Sequence, residues 1–258
     1  MTVTGRNPRP PRRVPRAWLG PAGTWTYDVW GDTGRPVVLL HGPVYDRRMW
    51  WPAGAELADH ATVIAVDLPG HGDSPARSGY PPAALVAELA SLVDGVGRGQ
   101  APVVVGHSIG ALLACVLAAH IRVHAVVTVA QSLDVRPLAG ALRETGNLRG
   151  VLPQARLDAL PGAYRDLVVP HPDAGLLADY LEWMTDREPH EVQQVVDDAL
   201  RRIDTPHLTV LGDPPEPGYL MWLHRLVPTS QCRIYPHTGL FPHLHESTRF
   251  AAEVRALL

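Results

Sequence analysis

The sequence contains no lysine, and all 23 of its basic residues are arginine. We interpret this as a compositional bias, because 26 acidic residues leave a net charge of only −3, which indicates no nucleic-acid partner. The two cysteines, Cys115 and Cys232, lie in apolar runs, so neither a disulfide framework nor a cysteine-based zinc site is expected. No apolar run reaches the roughly 18 residues of a membrane-spanning helix.

Motifs that would hold a cofactor are also missing. The sequence has no metal-ligand cluster, no glycine-rich phosphate loop after a strand and no dinucleotide-binding fingerprint. The N-terminal stretch is rich in arginine and proline, and no apolar segment follows Arg12-Arg13, as a twin-arginine export signal requires. We expect a disordered basic tail over residues 1–16. We also expect a cytoplasmic protein without a cofactor, whose partner is a small-molecule substrate rather than nucleic acid or a membrane.

Short continuous apolar runs, typical of strands buried on both faces, alternate with helix-like segments along most of the chain. Residues 131–203 hold only helix-like runs. The pattern predicts an α/β fold, with a mostly parallel, twisted sheet, helices on both of its faces and an inserted helical cap. We expect the core over 17–131 and 204–258, beginning with a hairpin at 17–30, and the cap over 132–203. The predicted strands are 35–40, 62–66, 101–105, 123–130, 207–211 and 232–235, and the predicted cap helices are 137–144, 152–160, 174–184 and 191–202.

The segment from Gly106 to Gly110 reads G-H-S-I-G and joins a predicted strand to a predicted helix. In this context, G-x-S-x-G is typical of a sharp turn that exposes a nucleophilic serine, here Ser108. The glycines allow the strand and the helix to pack closely. The helix N-terminus directs its amides to the same place, where they can hold a developing oxyanion.

Three further landmarks accompany the Ser108 turn: His41-Gly42, the segment 67–74 (DLPGHGDS) and the segment 239–244 (GLFPHL). With these four landmarks, the chain resembles the α/β-hydrolase superfamily of the single-domain, cap-bearing type over about residues 17–258. The resemblance implies hydrolysis of an ester, thioester or lactone by Ser108, although the fold also serves other reactions. The oxyanion-hole amides are then expected from Ile109 and, because Pro43 has no N–H, from Val44.

The resemblance to the family fails at the catalytic base. The family usually has Gly-His-Phe-Pro-His-Leu after the last strand, with the first histidine catalytic, whereas this chain has Leu240 at that position. Leucine cannot take the serine proton, so His237 or His243 must replace it if Ser108 is to be a nucleophile.

The chain also departs from the family's pattern at the catalytic acid. Where the family has an aspartate after the strand at 207–211, this chain has Pro215, flanked by Asp213 and Glu216. After the strand at 123–130 the nearest carboxylate is Asp134, which we take as the candidate acid.

Several side chains are candidates for the wall of a lipophilic substrate pocket, and each has core packing as an alternative role. Cap residues Tyr180, His171 and His190 are further polar candidates. The predicted pocket residues are His41, Trp50, Trp51, His107, Tyr164, Trp183 and Leu240.

Three functions fit these observations. The first is hydrolysis of a small lipophilic ester, thioester or lactone by Ser108 with a relocated histidine and acid. The second is a non-hydrolytic reaction, such as an elimination, cyclisation or rearrangement in secondary metabolism, in the same fold. The third is ligand binding without turnover. The first predicts a histidine within about 3 Å of the Ser108 hydroxyl.

Overall fold

The computed structural model describes residues 13–97, 99–146, 160, 162–168 and 174–258. These residues form one eight-stranded sheet, in the order β1-β2-β4-β3-β5-β6-β7-β8. Strands β3 to β8 run parallel, and β2 is antiparallel to both β1 and β4. The strands are β1 Val14–Gly20, β2 Gly23–Trp30, β3 Arg35–Leu40, β4 Ala61–Val66, β5 Val103–His107, β6 Ala125–Val129, β7 His207–Leu211 and β8 Ser230–Ile234.

Helices cover both faces of the sheet, because the central strands are apolar on both sides. Val104 and Val126 point into one core, whereas Val105 and Val127 point into the other. The helices are α1 Trp51–Leu57, α2 Pro82–Val96, α3 Ile109–Ala118, α4 Arg136–Thr145, α5 Gly162–Arg165, α6 Ala174–Thr185, α7 Pro189–Leu200, α8 Tyr219–Leu226, α9 Pro242–His245 and α10 Ser247–Arg255, with 3-10 turns at Arg47–Trp50 and Asp166–Val168. The first core also holds side chains of α2, α3, α4, α6, α7 and α8, and the second those of α1, α9 and α10.

The predicted architecture is confirmed: a mostly parallel sheet lies between two helical layers. Helices α4 to α7 lie between β6 and β7 in the sequence, where the cap is expected. The predicted helix at 152–160 falls outside the described residues, apart from Leu160. None of the described helices combines the length and the apolar character needed to cross a bilayer.

The first strand begins earlier than expected. Residues 14–16 belong to β1 and pair with 27–29 of β2, so they are not part of a disordered tail. The Arg13 guanidinium bonds to Asp28 Oδ2 at 3.0 Å and stacks 4.0 Å from the ring centre of Trp51. The order of this segment therefore depends on the Asp28 carboxylate and the Trp51 indole, which lie in other parts of the chain. The rest of the predicted tail, residues 1–12, lies outside the described residues.

Several histidines are buried in the neutral form, which makes the fold sensitive to acid. Burial lowers the pKa of His41 to about 3 and those of His107 and His207 to about 4, and it brings the pKa of His243 well below its usual value. Below pH 6.5 the unfolded chain binds protons at these positions that the folded chain does not. The stability that these neutral histidines contribute is therefore present above pH 6.5 and is lost as the pH falls towards 4.

We predict that His207→Leu reduces this acid sensitivity. The free energy of unfolding of the native chain should fall between pH 7.5 and pH 5.0, with His207 contributing about 2 kcal/mol of the fall. In His207→Leu, the decrease in the free energy of unfolding between these two pH values should be smaller by about 2 kcal/mol, as measured by urea denaturation. His224→Leu, at an exposed position on α8, is the matched control and should leave the fall unchanged. An equal fall in native chain and His207→Leu contradicts the prediction.

Candidate active site

The turn between β5 and α3 holds Ser108 in a strained conformation. Its φ is 52° and its ψ is −127°, outside the usual regions for a residue with a side chain. The turn is forced by close packing: a Cβ on Gly106 would collide with the Gly110 carbonyl, and one on Gly110 would lie 2.6 Å from the Leu40 carbonyl oxygen. Such strain costs of the order of 1–3 kcal/mol and persists where the surroundings over-determine it. Ser108 is therefore held at the carboxyl end of the sheet, 8% exposed.

Ser108 lines a small, largely apolar cavity of about 110 Å³, called the Ser108 cavity below. For scale, a cavity of about 150 Å³ holds a benzene molecule, so this one suits a group somewhat smaller than benzene. No charged side chain lines it in the described part of the chain. The described lining residues are Pro43, Val44, Tyr45, His107, Ser108, Ile109, Gln131, Leu138, Leu177, Leu181 and Leu240.

Leu240 stands in the wall of the Ser108 cavity, 6% exposed. Its carbonyl oxygen accepts a hydrogen bond from Nε2 of His107 at 2.8 Å. The Phe241 ring stacks on His107, with ring centres 5.6 Å apart and planes 11° apart. Burial lowers the pKa of His107 to about 4, so its ring is neutral at pH 7 and carries its proton on Nε2.

The loop after β3 offers few free amides to the cavity. Pro43 has no N–H, and the Val44 N–H donates to Nε2 of His71 at 3.2 Å. The Val44 N–H, which we expect in the oxyanion hole, is therefore already hydrogen-bonded to another acceptor. Ile109 is different, because it begins α3, where an amide has no acceptor within the helix. Its N–H is therefore a backbone donor beside Ser108.

This geometry, with a strained serine between a parallel strand and a helix, agrees with a match to known proteins. A family model described as the alpha/beta hydrolase family matches residues 37–253. The chain belongs to this family. It is 29% identical to the pimeloyl-[acyl-carrier protein] methyl ester esterase of Neisseria meningitidis serogroup B over 254 residues, which cover 87% of this chain and 93% of that protein.

Two solved structures have the same fold. The enol-lactonase of Burkholderia xenovorans superposes with a TM-score of 0.71 at 19% identity, covering 94% of this chain and 99% of that one. E-2-(acetamidomethylene)succinate hydrolase superposes with a TM-score of 0.74 at 19% identity, covering 95% and 99%. At such identities the likeness concerns the fold alone.

The two histidines expected to replace the family's base do not line the Ser108 cavity. His237 is exposed on the loop after β8. His243 is fully buried on α9, with its ring centre 4.5 Å from that of Trp50 and 5.9 Å from that of Phe250. Among the described residues, no imidazole nitrogen is hydrogen-bonded to the Ser108 hydroxyl. The reason is packing: aromatic side chains draw His243 into the second core, and the loop presents Leu240 to the cavity.

The expected acid also lies elsewhere. Asp134 pairs with Arg136 at 2.6 Å, and this hydrogen bond lowers its pKa. Asp134 lines a separate open groove of about 640 Å³, together with Asp213 and Glu216. No carboxylate is among the described residues of the Ser108 cavity. The described part of the chain also holds no group of three His, Cys, Asp or Glu side chains arranged for a metal ion.

Of the predicted pocket residues, His107 and Leu240 line the cavity. His41 is structural: its Nε2 accepts the Leu68 N–H at 2.9 Å and its Nδ1 contacts the Gly42 carbonyl at 2.7 Å. Both tryptophans pack away from the cavity, since Trp50 is in the second core and Trp51 donates its indole N–H to Asp28.

The cap residues also pack elsewhere. Tyr164 and Trp183 pack against the second and the first core, respectively. Tyr180 donates its hydroxyl to the Pro69 carbonyl at 2.7 Å, and His190 is exposed. His171 lies outside the described residues.

Much of the cavity wall consists of residues that the sequence motifs do not mark. Leu177 and Leu181 on α6 and Leu138 on α4 form its roof. The i,i+4 spacing of the two leucines on α6 was the available signal, but the same spacing also fits ordinary core packing. Tyr45 and Gln131, the missed polar residues, lie in loops without a motif.

A buried ion-pair network holds the loop that carries Val44 and Tyr45. The Arg47 guanidinium bonds to Asp67, to Asp28 Oδ2 at 3.1 Å and to Asp73 Oδ2 at 2.7 Å. The Arg47 N–H also donates to Asp67 Oδ1 at 2.8 Å. Asp28 and Asp67 are fully buried. Asp67 depends on Arg47 for charge compensation, whereas Asp28 pairs with both Arg47 and Arg13.

We predict that Arg47→Ala destabilises the fold by about 3–5 kcal/mol, because it leaves the buried Asp67 carboxylate without its ion-pair partner. Arg136→Ala, which removes the exposed partner of Asp134, should cost less than about 1 kcal/mol. Urea denaturation at pH 7.5 measures both. Similar losses in the two variants would contradict the assignment of Arg47 as the anchor of this loop.

Proposed function

We propose that this alpha/beta hydrolase family member binds a small, neutral, largely apolar carbonyl compound at Ser108 without forming an acyl-serine. The observation that carries the proposal is Leu240 in the cavity wall, with its carbonyl bound to His107, where the family's catalytic histidine is expected. A serine hydroxyl without a base is a poor nucleophile. It remains a good hydrogen-bonding group for a ligand.

The donors around the cavity support a carbonyl ligand. The Ile109 N–H can only donate, and the Ser108 hydroxyl beside it can donate as well. Together they suit a single acceptor oxygen. A carboxylate is disfavoured because the described lining holds no cation to compensate its charge.

The size of the cavity limits the group that enters it. About 110 Å³ suits a short acyl chain or a five-membered ring. The leucines that form the roof favour an apolar group. A larger ligand would leave its remaining part outside this cavity.

Hydrolysis of a small lipophilic ester, thioester or lactone is the second candidate function. Two observations favour it: the strained serine turn is retained, and the relative from Neisseria meningitidis is a methyl ester esterase. It needs a base that the described residues do not bring to Ser108. An elimination, cyclisation or rearrangement needs no acyl-serine and is compatible with the first proposal.

A small fluorophosphonate, diisopropyl fluorophosphate, distinguishes the two functions. We predict that the intact mass of the native chain shows no stoichiometric adduct after incubation at pH 7.5. Leu240→His should gain labelling at least tenfold, because it restores an imidazole beside Ser108 in an otherwise intact pocket.

Ser108→Ala in the Leu240→His background is the control and should abolish that labelling. Stoichiometric, Ser108-dependent labelling of the native chain would mean that another base activates the serine. Hydrolysis would then replace ligand binding as the proposed function.

A further inference from the structure

The loop after β3 makes a tight turn from Gly42 to Tyr45. The Tyr45 N–H donates to the Gly42 carbonyl at 3.4 Å, the i to i+3 bond of a β-turn. Pro43 occupies the second position, and Val44 occupies the third with a φ of 64°. A positive φ at the third position is the mark of a type II turn, which normally requires glycine there. Here the position holds a β-branched residue, for which such a φ is a true outlier.

This unusual turn is fixed on both sides. On one side His71 accepts the Val44 N–H at 3.2 Å. On the other side, two residues after Tyr45, Arg47 is held by three carboxylates. Strain of this kind persists only when the surroundings over-determine it, and it concentrates at functional sites.

The turn delivers the Tyr45 side chain to the Ser108 cavity. The ring packs edge-on against Phe241, with centres 5.4 Å apart and planes at 83°, and against His107 at 6.1 Å and 73°. Tyr45 thus packs against two neighbours of Leu240, the position where the family's catalytic histidine is expected. Phe241 follows Leu240 in the sequence, and His107 donates a hydrogen bond to the Leu240 carbonyl oxygen.

The Tyr45 hydroxyl is available to a ligand. It makes no hydrogen bond within the described part of the chain, although the residue is half-buried. Burial raises the pKa of Tyr45, so the phenol keeps its proton at neutral pH and can donate it. Gln131, the other missed polar residue, instead commits its amide nitrogen to the Ser132 carbonyl at 2.6 Å.

From this geometry we infer that Tyr45 is a specificity-determining residue, whose hydroxyl donates a hydrogen bond to the carbonyl oxygen of the ligand. Ser108, Ile109 and Tyr45 then form a set of neutral donors around one acceptor in an apolar cavity. The inference rests on the proposed function, because it concerns the same site. It names the ligand class more narrowly: neutral ketones, aldehydes, esters and lactones, in preference to hydrocarbons of equal size.

Two probes of equal size test the inference. Cyclopentanone carries the acceptor, and methylenecyclopentane replaces its oxygen by a carbon. Protein-observed NMR titration gives the dissociation constant of each. We expect the native chain to prefer cyclopentanone. Tyr45→Phe should weaken cyclopentanone binding by about 3–10-fold, the usual value of one neutral hydrogen bond. Its affinity for methylenecyclopentane should change by less than about twofold, because the ring that packs against Phe241 is kept.

Tyr235→Phe is the matched control. Its hydroxyl is buried without a partner in the described structure, and the residue is not part of the described cavity wall. It should leave both dissociation constants unchanged.

The possible results distinguish a failure of the role inferred for Tyr45 from a failure of the proposed function. If the native chain prefers cyclopentanone and Tyr45→Phe does not alter that preference, the proposed function stands and the role of Tyr45 is refuted. Equal weakening of both probes also overturns the inference, because it would show a packing role only. If the native chain does not bind cyclopentanone, the proposed function fails and the inference fails with it.

Discussion

The close contact between β5 and α3 is the constraint on which the site depends. Gly106 lacks the Cβ atom that would collide with the Gly110 carbonyl, so β5 and α3 approach closely enough to force Ser108 into its strained conformation. Gly110 in turn lets α3 lie close to the Leu40 carbonyl at the end of β3. The same contact sets α3 against the sheet and brings the Ile109 N–H beside the serine. Any residue larger than glycine at either position would have to shift the backbone that positions the cavity.

In our proposal, two features around this strained turn redirect its chemistry. Leu240 gives the cavity an apolar wall and uses its carbonyl to hold His107 in one tautomer. In the loop after β3, Pro43 removes one amide, and His71 accepts the next, that of Val44. Among the described residues, the serine and one helix amide face the cavity without a base to activate the serine or a second free amide from the loop after β3. This is why we propose that the site recognises a carbonyl rather than attacks one.

Much of the fold could be predicted from the sequence, because strands buried on both faces leave continuous apolar runs such as 36–40 and 101–105. Ser108 and the replacement at Leu240 could be found because both lie in short motifs with fixed spacing. Other features depend on distant residues. His243 is buried because Trp50 and Phe250 meet it in space. Tyr45 reaches the cavity only because Val44 adopts a positive φ that a Pro-Val pair does not indicate.

The central claim is that Ser108 holds a carbonyl without attacking it. The most direct measurement is ¹³C NMR of γ-butyrolactone labelled at its carbonyl carbon, mixed with the native chain and with Ser108→Ala at pH 7.5. The account predicts that the native chain shifts the lactone carbonyl signal by hydrogen bonding, more than Ser108→Ala does, while the lactone persists as long as in buffer alone. A growing carboxylate signal that requires Ser108 would contradict the account and establish hydrolysis.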